Sequence, residues 1–351
     1  MTNIFVRPGK ELRRVVVTGI GMVTPVGLNV AQSWENVVKG KSGIDRLTQF
    51  DATNFDTKIA GEVKGFNADD FVPKKEQKKM DRFIHFTMAA TKMAIADAEL
   101  TVPEDCRERY GTIIGVGLGG LPIIEKQHQI LMERGPSRIT PFFIPAIIGN
   151  MAAGHVSMTY GLKGPNFCTT SACASGAHAI GEAGEYIRKG LADVMVCGGA
   201  ESTISPLAIG GFSAMKALST RNDHPDQASR PWDRDRDGFV LSEGSGILVL
   251  EDYEHARARG ARIYGELCGY GTSSDAYHMT SPSPGGSGAA HAMALAVNDA
   301  GIDAAKIGYV NAHGTSTPAG DELESEAVKR VFGTHAYKLW VSSTKSVTGP
   351  S

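Results

Sequence analysis

The fold is decided by the stretch Asn166–Gly190, NFCTTSACASGAHAIGEAGEYIRKG. It begins as a short β-leaning segment, turns sharply at Ser171–Gly176 and continues as a helix-patterned segment that ends at Gly190. A further strand is predicted directly after it, over Asp193–Cys197. This order of strand, turn, helix and strand is typical of an α/β fold, and it places Cys173 at the start of a helix.

A thiol at the start of a helix lies close to unpaired backbone N–H groups and to the positive end of the helix dipole. Both favour the thiolate, which is the form that attacks an electrophile. The residues beside Cys173 are alanine, serine and glycine, which would let another molecule approach the sulfur closely. Cys173 is therefore the first candidate for a catalytic nucleophile.

The composition fits a soluble α/β protein of 351 residues, 42% hydrophobic and 21% charged. A net charge of −2 excludes a globally basic nucleic-acid binder, and five cysteines without a CxxC spacing indicate neither a disulfide framework nor a zinc site. The opening MTNIFVRPGKELRR lacks the apolar core of a signal peptide, and no run is long enough to span a bilayer. We therefore expect a cytoplasmic protein with no metal and with no nucleic-acid or membrane partner.

The order of the predicted elements suggests two related α/β halves. The first half contains three further strands and a long helix, predicted over Val15–Val17, Phe83–Leu100, Thr112–Ile114 and Ile247–Leu250. The run Ile263–Gly271 repeats the opening β run and its G-x-G ending, which is a weak signal of an internal repeat. The helices and strands predicted after it are Ala289–Ala300, Tyr309–Ala312, Glu322–Phe332 and Leu339–Ser343. We expect an N-terminal half over 1–258, which carries Cys173, and a partial C-terminal half over 259–351.

Two motifs resemble ligand sites. The loop Gly115–Gly120 matches the G-x-G-x-x-G fingerprint of dinucleotide-binding proteins, but no second strand ending in Asp or Glu follows about twenty residues later. A loop that allows close packing or access to a site is the favoured interpretation. The run Asp233–Gly238, DRDRDG, imitates half of a calcium loop, but its arginines oppose a cation and Gly244 stands where the glutamate belongs. We therefore reject a calcium site.

Three further features are open between a structural and a functional role. His313 follows a predicted strand and precedes small hydroxyl residues, and strand ends are where α/β sheets present reactive groups. Lys345 follows another predicted strand and is either exposed or catalytic. The basic run Lys74–Arg82 leads into a predicted helix, where positive charge opposes the helix dipole. It is either a solvated helix start or a surface for an acidic partner.

Taken together, the motifs resemble the β-ketoacyl-[acyl carrier protein] synthases of the fatty-acid condensing type, most closely synthase II. The resemblance runs along the chain through GIGMVTPVG, GVGLGGL, PFFIPAIIGNMAAGH, TSACASGAHAIGEA, GGAEST, ALSTRND, SRPWDRDRDGFVLSEG, SSDAYHMTSP, YVNAHGTSTPAGD and SSTKSVTG. It implies a thiolase-like fold, with two related α/β halves in αβαβα layers and an incomplete second half. It also implies a homodimeric acyltransferase that needs no cofactor and takes its substrates from the phosphopantetheine arm of acyl carrier protein.

The resemblance assigns a reaction and its residues. Cys173 matches the acyl-accepting nucleophile, His313 the first active-site histidine and Lys345 the active-site lysine, for acyl transfer followed by decarboxylative condensation with malonyl-carrier protein to a 3-oxoacyl product. Glu324 matches an acidic residue near that lysine. The positions that would contact the substrate are Thr315, Thr317, Leu118, Phe212, His278 and Thr280, and side-chain bulk at Leu118 would limit chain length. The positions that would contact the carrier protein are Lys75, Lys78, Lys79 and Lys216.

The chain departs from the family pattern after Gly349. The family continues with a second active-site histidine and a Gly-Phe-Gly-Gly loop, whereas Pro350 and Ser351 stand here. Because one such hydrogen-bond donor contributes about 3–4 kcal/mol to transition-state stabilisation, we expect condensation by the chain as written to be impaired. A non-catalytic partner subunit of the same fold, similar to a chain-length factor, is the alternative. A nucleotide-dependent oxidoreductase is a third reading, which rests on the glycine loop alone.

Overall fold

The computed structural model describes residues 12–350, so most of the segment that argued against a signal peptide lies outside the described residues. Within that range the strands are β1 (Val15–Val23), β2 (Asp45–Arg46), β3 (Ile59–Ala60), β4 (Tyr110–Gly115), β5 (Asn166–Thr169), β6 (Val194–Glu201), β7 (Gly244–Asp252), β8 (Gly265–Glu266), β9 (Tyr309–Asn311) and β10 (Trp340–Ser342). The α-helices are α1 (Val30–Val38), α2 (Lys74–Gln77), α3 (Arg82–Asp97), α4 (Leu121–Arg134), α5 (Phe143–Ile147), α6 (Met151–Tyr160), α7 (Ser175–Arg188), α8 (Pro206–Ala214), α9 (Tyr253–Ala258), α10 (Ser287–Ala300), α11 (Pro318–Phe332) and α12 (Lys345–Thr348). None of the helices in residues 12–350 is long and apolar enough to cross a membrane.

The main sheet has the strand order β5-β4-β6-β7-β1-β8. Strands β5, β4 and β6 are parallel, whereas β7 runs antiparallel to both of its neighbours and β8 pairs antiparallel with β1. Apolar residues alternate along the central strands: Ile114, Val196 and Val249 pack with α3 and α6, and Ile113, Met195 and Leu250 pack with α7. Since successive side chains of a strand point to opposite faces, the sheet is buried on both sides.

The two halves share one packing motif, in which a G-x-G segment lies directly against a helix. A Cβ added at Gly19 or Gly21 of β1 would stand 2.2 or 1.8 Å from a backbone oxygen of α3. A Cβ added at Gly269 or Gly271 would stand 2.3 or 2.2 Å from a backbone oxygen of α10. Only glycine permits such an approach, so the repeat suspected in the sequence has a physical counterpart in each half.

Helix α7 lies between the main sheet and the second half. A Cβ at Gly181 would stand 2.2 Å from the Tyr270 ring, and one at Gly184 would stand 2.6 Å from Leu267. At the end of α7, Arg188 pairs with an aspartate of α10 at 2.6 Å. Helix α7 therefore packs on the main sheet with one side and on residues of the second half with the other, and β9 and β10 form a separate parallel pair.

Several predicted boundaries were wrong. Strand β1 continues through its glycines instead of ending there, because they pack against α3. The run Ile263–Gly271 contains only the short strand β8, and that strand joins the sheet of the first half. A domain boundary after residue 258 stays a prediction.

The basic run precedes the long helix, as expected, but it also forms a helix of its own. It forms the separate four-residue helix α2, and α3 begins after it at Arg82. The side chain of Asp81 caps α3 by accepting the Arg82 N–H. Two of the lysines, Lys74 and Lys75, therefore lie at the start of α2 and not in the first turn of α3.

Candidate active site

Cys173 lies two residues before α7, in a turn held in one shape by serine hydroxyls. Ala172 has a φ of 51°, a left-handed conformation that residues other than glycine seldom adopt. The hydroxyl of Ser175 accepts the N–H of Ser171 at 2.9 Å and donates to the Ala172 carbonyl at 2.7 Å. The Cys173 residue itself is exposed. The predicted strand–turn–helix geometry is thus present, with the thiol accessible.

Glycines in two strands of the main sheet allow this turn to pack directly against the strand backbones. A Cβ at Gly115 of β4 would stand 2.2 Å from the backbone C and O of Ser175, and one at Gly199 of β6 would stand 3.1 Å from the Cα of Gly176. The start of α7 therefore sits almost in contact with two strand backbones. A side chain at Gly115 would force the start of α7 to move, and one at Gly199 would crowd Gly176.

Cys173 opens onto a cavity of about 640 Å³, a size typical of small-molecule sites. Leu118 and Phe212, both expected to contact the substrate, line this cavity. Phe212 packs edge-to-face on Phe239, another lining residue, with ring centroids 5.3 Å apart. The lining is mainly apolar, so the cavity suits an aliphatic chain attached to the sulfur.

The glycine loop borders the same cavity, but its backbone N–H groups are already occupied. The carboxylate of Glu201 accepts the N–H of Leu118 at 2.6 Å and that of Gly119 at 3.1 Å. Burial raises the pKa of Glu201, and the backbone N–H groups around it act in the opposite direction. Since the donors that would cradle a phosphate bind an internal carboxylate, the oxidoreductase reading loses its only support.

His313 and Lys345 come together because β9 and β10 are parallel and end at the same edge. Ser343, which directly follows β10, joins the two segments. Its hydroxyl lies 3.2 Å from the His313 carbonyl and 2.9 Å from the Gly314 carbonyl, and it accepts the Lys345 N–H at 3.3 Å. The loop that carries the histidine and the helix start that carries the lysine are thus hydrogen-bonded to one side chain.

Glu324 holds the histidine loop from the other side. Its two carboxylate oxygens accept the N–H groups of His313 and Gly314, each at 2.7 Å. Because α11 carries Glu324, the position of the histidine backbone is set by a helix of the second half. The acidic residue expected near the lysine therefore acts on the histidine segment directly.

The DRDRDG run supports the same loop through one of its arginines. Arg236 pairs with the buried Asp321 at 3.3 Å and donates to the Thr317 carbonyl at 3.1 Å. Asp321 also accepts the N–H of Ser316 at 3.2 Å. Across residues 12–350, no group of three or more His, Cys, Asp or Glu side chains is placed to hold a metal ion.

The electrostatics of the site link its three candidate catalytic residues. Burial lowers the pKa of Lys345, while the charges of Glu324 and Cys173 act to raise it. Burial also lowers the pKa of His313, and the positive charge of Lys345 adds to this effect. Part of His313 is exposed, yet the protein atoms packed around it suffice to disfavour its charged form. Lys345 thus lies within electrostatic reach of both the Cys173 thiol and the His313 imidazole.

The other expected substrate contacts are divided between two places. Thr315 and Thr317 follow His313 in the same loop, with their hydroxyl oxygens 3.0 Å apart. His278 and Thr280 lie on an exposed loop, where the N–H of Thr280 donates to Nδ1 of the histidine at 3.1 Å. Neither of these two residues lines the cavity at Cys173.

The expected carrier-protein contacts lie on the surface. Lys75 and Lys78 are exposed at α2, and Lys216 is exposed just after α8. Lys79 is partly buried and pairs with Glu76 at 2.7 Å. Sequence reasoning gave no role to Glu201 or to Ser343, although both stand in motifs that carried the resemblance. Their partners are distant in sequence or on the backbone, so no local pattern could reveal them.

Comparison with known proteins agrees with this geometry. The sequence profile “Beta-ketoacyl synthase, N-terminal domain” matches residues 12–256, and “Beta-ketoacyl synthase, C-terminal domain” matches residues 264–351. The chain is 55% identical over 338 residues to 3-oxoacyl-[acyl-carrier-protein] synthase 2 of Vibrio cholerae, covering 96% of this chain and 82% of the relative. It is 51% identical over 339 residues to the protein of the same name from a Synechocystis species, covering 97% and 82%.

Solved structures show the same relationship. A β-ketoacyl synthase from Burkholderia phymatum superposes with a TM-score of 0.89 at 38% identity, covering 97% of this chain and 82% of that one. A type II polyketide ketosynthase in complex with its acyl-carrier protein superposes with a TM-score of 0.86 at 36% identity and the same coverage. These findings confirm the predicted thiolase-like fold and condensing acyltransferase, and they favour it over a chain-length-factor-like subunit. The chain belongs to the β-ketoacyl synthase family.

Proposed function

We propose that Cys173 accepts an acyl group from the thioester of an acyl carrier protein and then passes it to a malonyl unit. The Cys173 thiolate attacks the thioester carbonyl and expels the carrier thiolate. Malonyl-carrier protein then loses CO₂, and the resulting carbanion attacks the carbonyl of acyl-Cys173. The thiolate leaves, and the product is a 3-oxoacyl chain that is two carbons longer. The observation that carries this proposal is an exposed thiol between the start of a helix and an apolar cavity.

His313 and Lys345 would act on the malonyl group. Because the pKa of His313 is lowered, its ring is neutral near pH 7 and offers one N–H to the thioester carbonyl as negative charge develops there. Lys345 adds positive charge beside it, in a setting where burial lowers its own pKa. Glu324 and Ser343 fix the backbone of both segments, so the two groups are preorganised. Thr315 and Thr317 would hydrogen-bond the phosphopantetheine arm.

Intact-protein mass spectrometry tests the first step. Incubation with an acyl-thioester of carrier protein should add one acyl mass to the chain, and peptide mapping should locate it on Cys173. The Cys173→Ala variant should remain unmodified, while a Cys268→Ala variant should be acylated like the wild type, because that exposed thiol lies away from the cavity. Acylation that persists in Cys173→Ala would refute the assignment.

The exposed lysines at α2 support an acidic carrier protein as the partner. A related ketosynthase has been solved with its acyl-carrier protein, and Lys75 and Lys78 present unburied positive charge here. The variant Lys78→Glu should weaken carrier binding and should lessen its salt dependence. Lys306→Glu, an exposed lysine of the second half, is the matched control and should bind normally. Equal binding by both variants would exclude this surface.

A homodimer in the cytoplasm, with no cofactor, completes the proposal. Strand β5 is an edge strand of the main sheet, so a second copy could continue the sheet there. The reaction above uses a thiol, an imidazole and an amine, and no step requires a bound cofactor. The described cysteines are all free, which suits a reducing compartment. Sedimentation analysis tests the assembly: a monomer at micromolar concentration would contradict it.

A further inference from the structure

We propose that Ser171 and His178 form a hydrogen-bonded pair that positions the Cys173 sulfur for acyl transfer; this inference rests on the proposed function. The Ser171 hydroxyl lies 2.6 Å from Nδ1 of His178. Ser171 is the first residue of the turn, and His178 stands on the first turn of α7. The bond therefore connects the start of the turn to helix α7, and Cys173 lies between these two points in the chain.

The turn needs such a connection because its backbone is strained. Ala172 separates Ser171 from Cys173 and has a left-handed φ of 51°, which alanine adopts only when its surroundings impose it. Ser171 and Cys173 form a β-bridge across this alanine, and the Ser171 carbonyl accepts the N–H of Ala174 at 3.1 Å. A shift of Ser171 would thus be transmitted to the backbone on both sides of the sulfur.

The orientation of the His178 ring is fixed from the second half of the chain. The ring packs edge-to-face against Tyr270, with centroids 6.4 Å apart and planes at 74°. Tyr270 is itself held in the notch at Gly181, and its N–H donates to Asp299 at 2.9 Å. Tyr270 of the second half therefore fixes the orientation of the His178 ring. The ring in turn fixes the position of the Ser171 hydroxyl, and Ser171 fixes the backbone of the turn. His178 and Ser171 are positioning residues and need not touch the substrate.

Four variants separate this role from a general effect on folding. His178→Leu removes the ring nitrogen, and Ser171→Ala removes only a hydroxyl. His178→Asn restores a hydrogen-bonding atom close to the place of Nδ1. The double variant Ser171→Ala/His178→Leu tests whether the two residues act as one unit. His291→Leu, an exposed histidine on α10, is the matched control.

The measurement is the rate constant for acylation of Cys173, followed by intact-protein mass spectrometry, with thermal melting of each variant as a folding check. We expect a loss of roughly tenfold to a hundredfold for His178→Leu and for Ser171→Ala, because a misplacement of about 1 Å has an effect of that size. The double variant should lose no more than the larger single loss. His178→Asn should recover most of the rate, and His291→Leu should equal the wild type.

The inference is overturned if Ser171→Ala reacts at the wild-type rate, if the two single losses multiply in the double variant, or if His178→Asn is as slow as His178→Leu. These outcomes leave the proposed function intact, because the wild-type chain still becomes acylated on Cys173. A wild-type chain that takes up no acyl group on Cys173 overturns the proposed function itself, and this inference with it.

Discussion

Replacing Gly115 by alanine tests how closely the position of Cys173 depends on the sheet. Gly115 is the last residue of β4 and pairs with Thr169 of β5 on one side and with Gly199 of β6 on the other. An added Cβ would stand 2.2 Å from the backbone C and O of Ser175, whereas ordinary contacts begin at 3.4 Å. The strand is fixed on both sides, so the start of α7 has to retreat by roughly 1.2 Å, the difference between those distances.

A displacement of about 1 Å in a reacting group lowers a rate by about a hundredfold, and forcing one extra carbon into a packed interior costs about 1–3 kcal/mol of stability. We therefore expect Gly115→Ala to acylate Cys173 about a hundred times more slowly and to melt at a lower temperature. Gly265→Ala is the control, because a Cβ there meets nothing within 4 Å. A wild-type acylation rate in Gly115→Ala, or equal losses in the two variants, would refute this reasoning.

Three further substitutions should change stability or reaction rate in a direction that follows from the structure. Burial raises the pKa of Asp81 to about 6 from its ordinary 3.8, so its contribution to stability is present below pH 4 and is lost as the pH rises through 6. Asp81→Asn keeps a capping side chain and should raise the melting temperature at pH 7.5 by more than at pH 4.5; a pH-independent change would contradict this. Glu251 is buried, but hydrogen bonds from Arg259, His255 and Thr18 outweigh that burial and lower its pKa to about 2. The stability that ionised Glu251 contributes is present above about pH 4.5 and fades as the pH falls towards 2. Glu251→Gln should therefore lower the free energy of unfolding at pH 7 by about 2–3 kcal/mol in urea. An unchanged urea midpoint would refute the pairing. Glu324→Gln should slow malonyl decarboxylation by roughly tenfold, because it weakens the hydrogen bonds that hold the His313 segment. Acylation of Cys173 should be unchanged, since Glu324 does not hold the thiol. Equal losses in both assays would show that Glu324 also affects the Cys173 segment.

The central unit of the fold could be predicted because its signals are local. The apolar run, the small turn residues and the helical pattern between Asn166 and Gly190 agree with one another, and the structure has β5, the turn and α7 in that order. The same holds for β9, β10 and the residues that follow them, His313 and Lys345. Where the pattern of one segment suffices to place a strand or a helix, sequence reasoning succeeds.

Features that depend on distant partners could not be predicted. The glycine loop looked ambiguous because the carboxylate that binds it, Glu201, lies 82 residues beyond Gly119. Strand β1 was cut short because the helix that its glycines contact cannot be read from the strand itself. The separation of α2 from α3 depends on Asp81, whose role as a cap is visible only when the helix start is known. Long-range packing thus decided the cases that the local pattern left open.

The reactivity of the Cys173 thiol carries the proposed reaction, and the chain contains its own control. Cys173 and Cys268 are both free and exposed, but only Cys173 lies at the start of a long helix. Competitive alkylation with limiting iodoacetamide at pH 7, followed by peptide mapping, compares the two under identical conditions. We predict that Cys173 is modified at least roughly tenfold faster than Cys268, because only Cys173 opens onto a cavity and lies beside the first backbone N–H groups of a long helix. Equal rates for the two thiols would contradict the claim that this site activates a nucleophile.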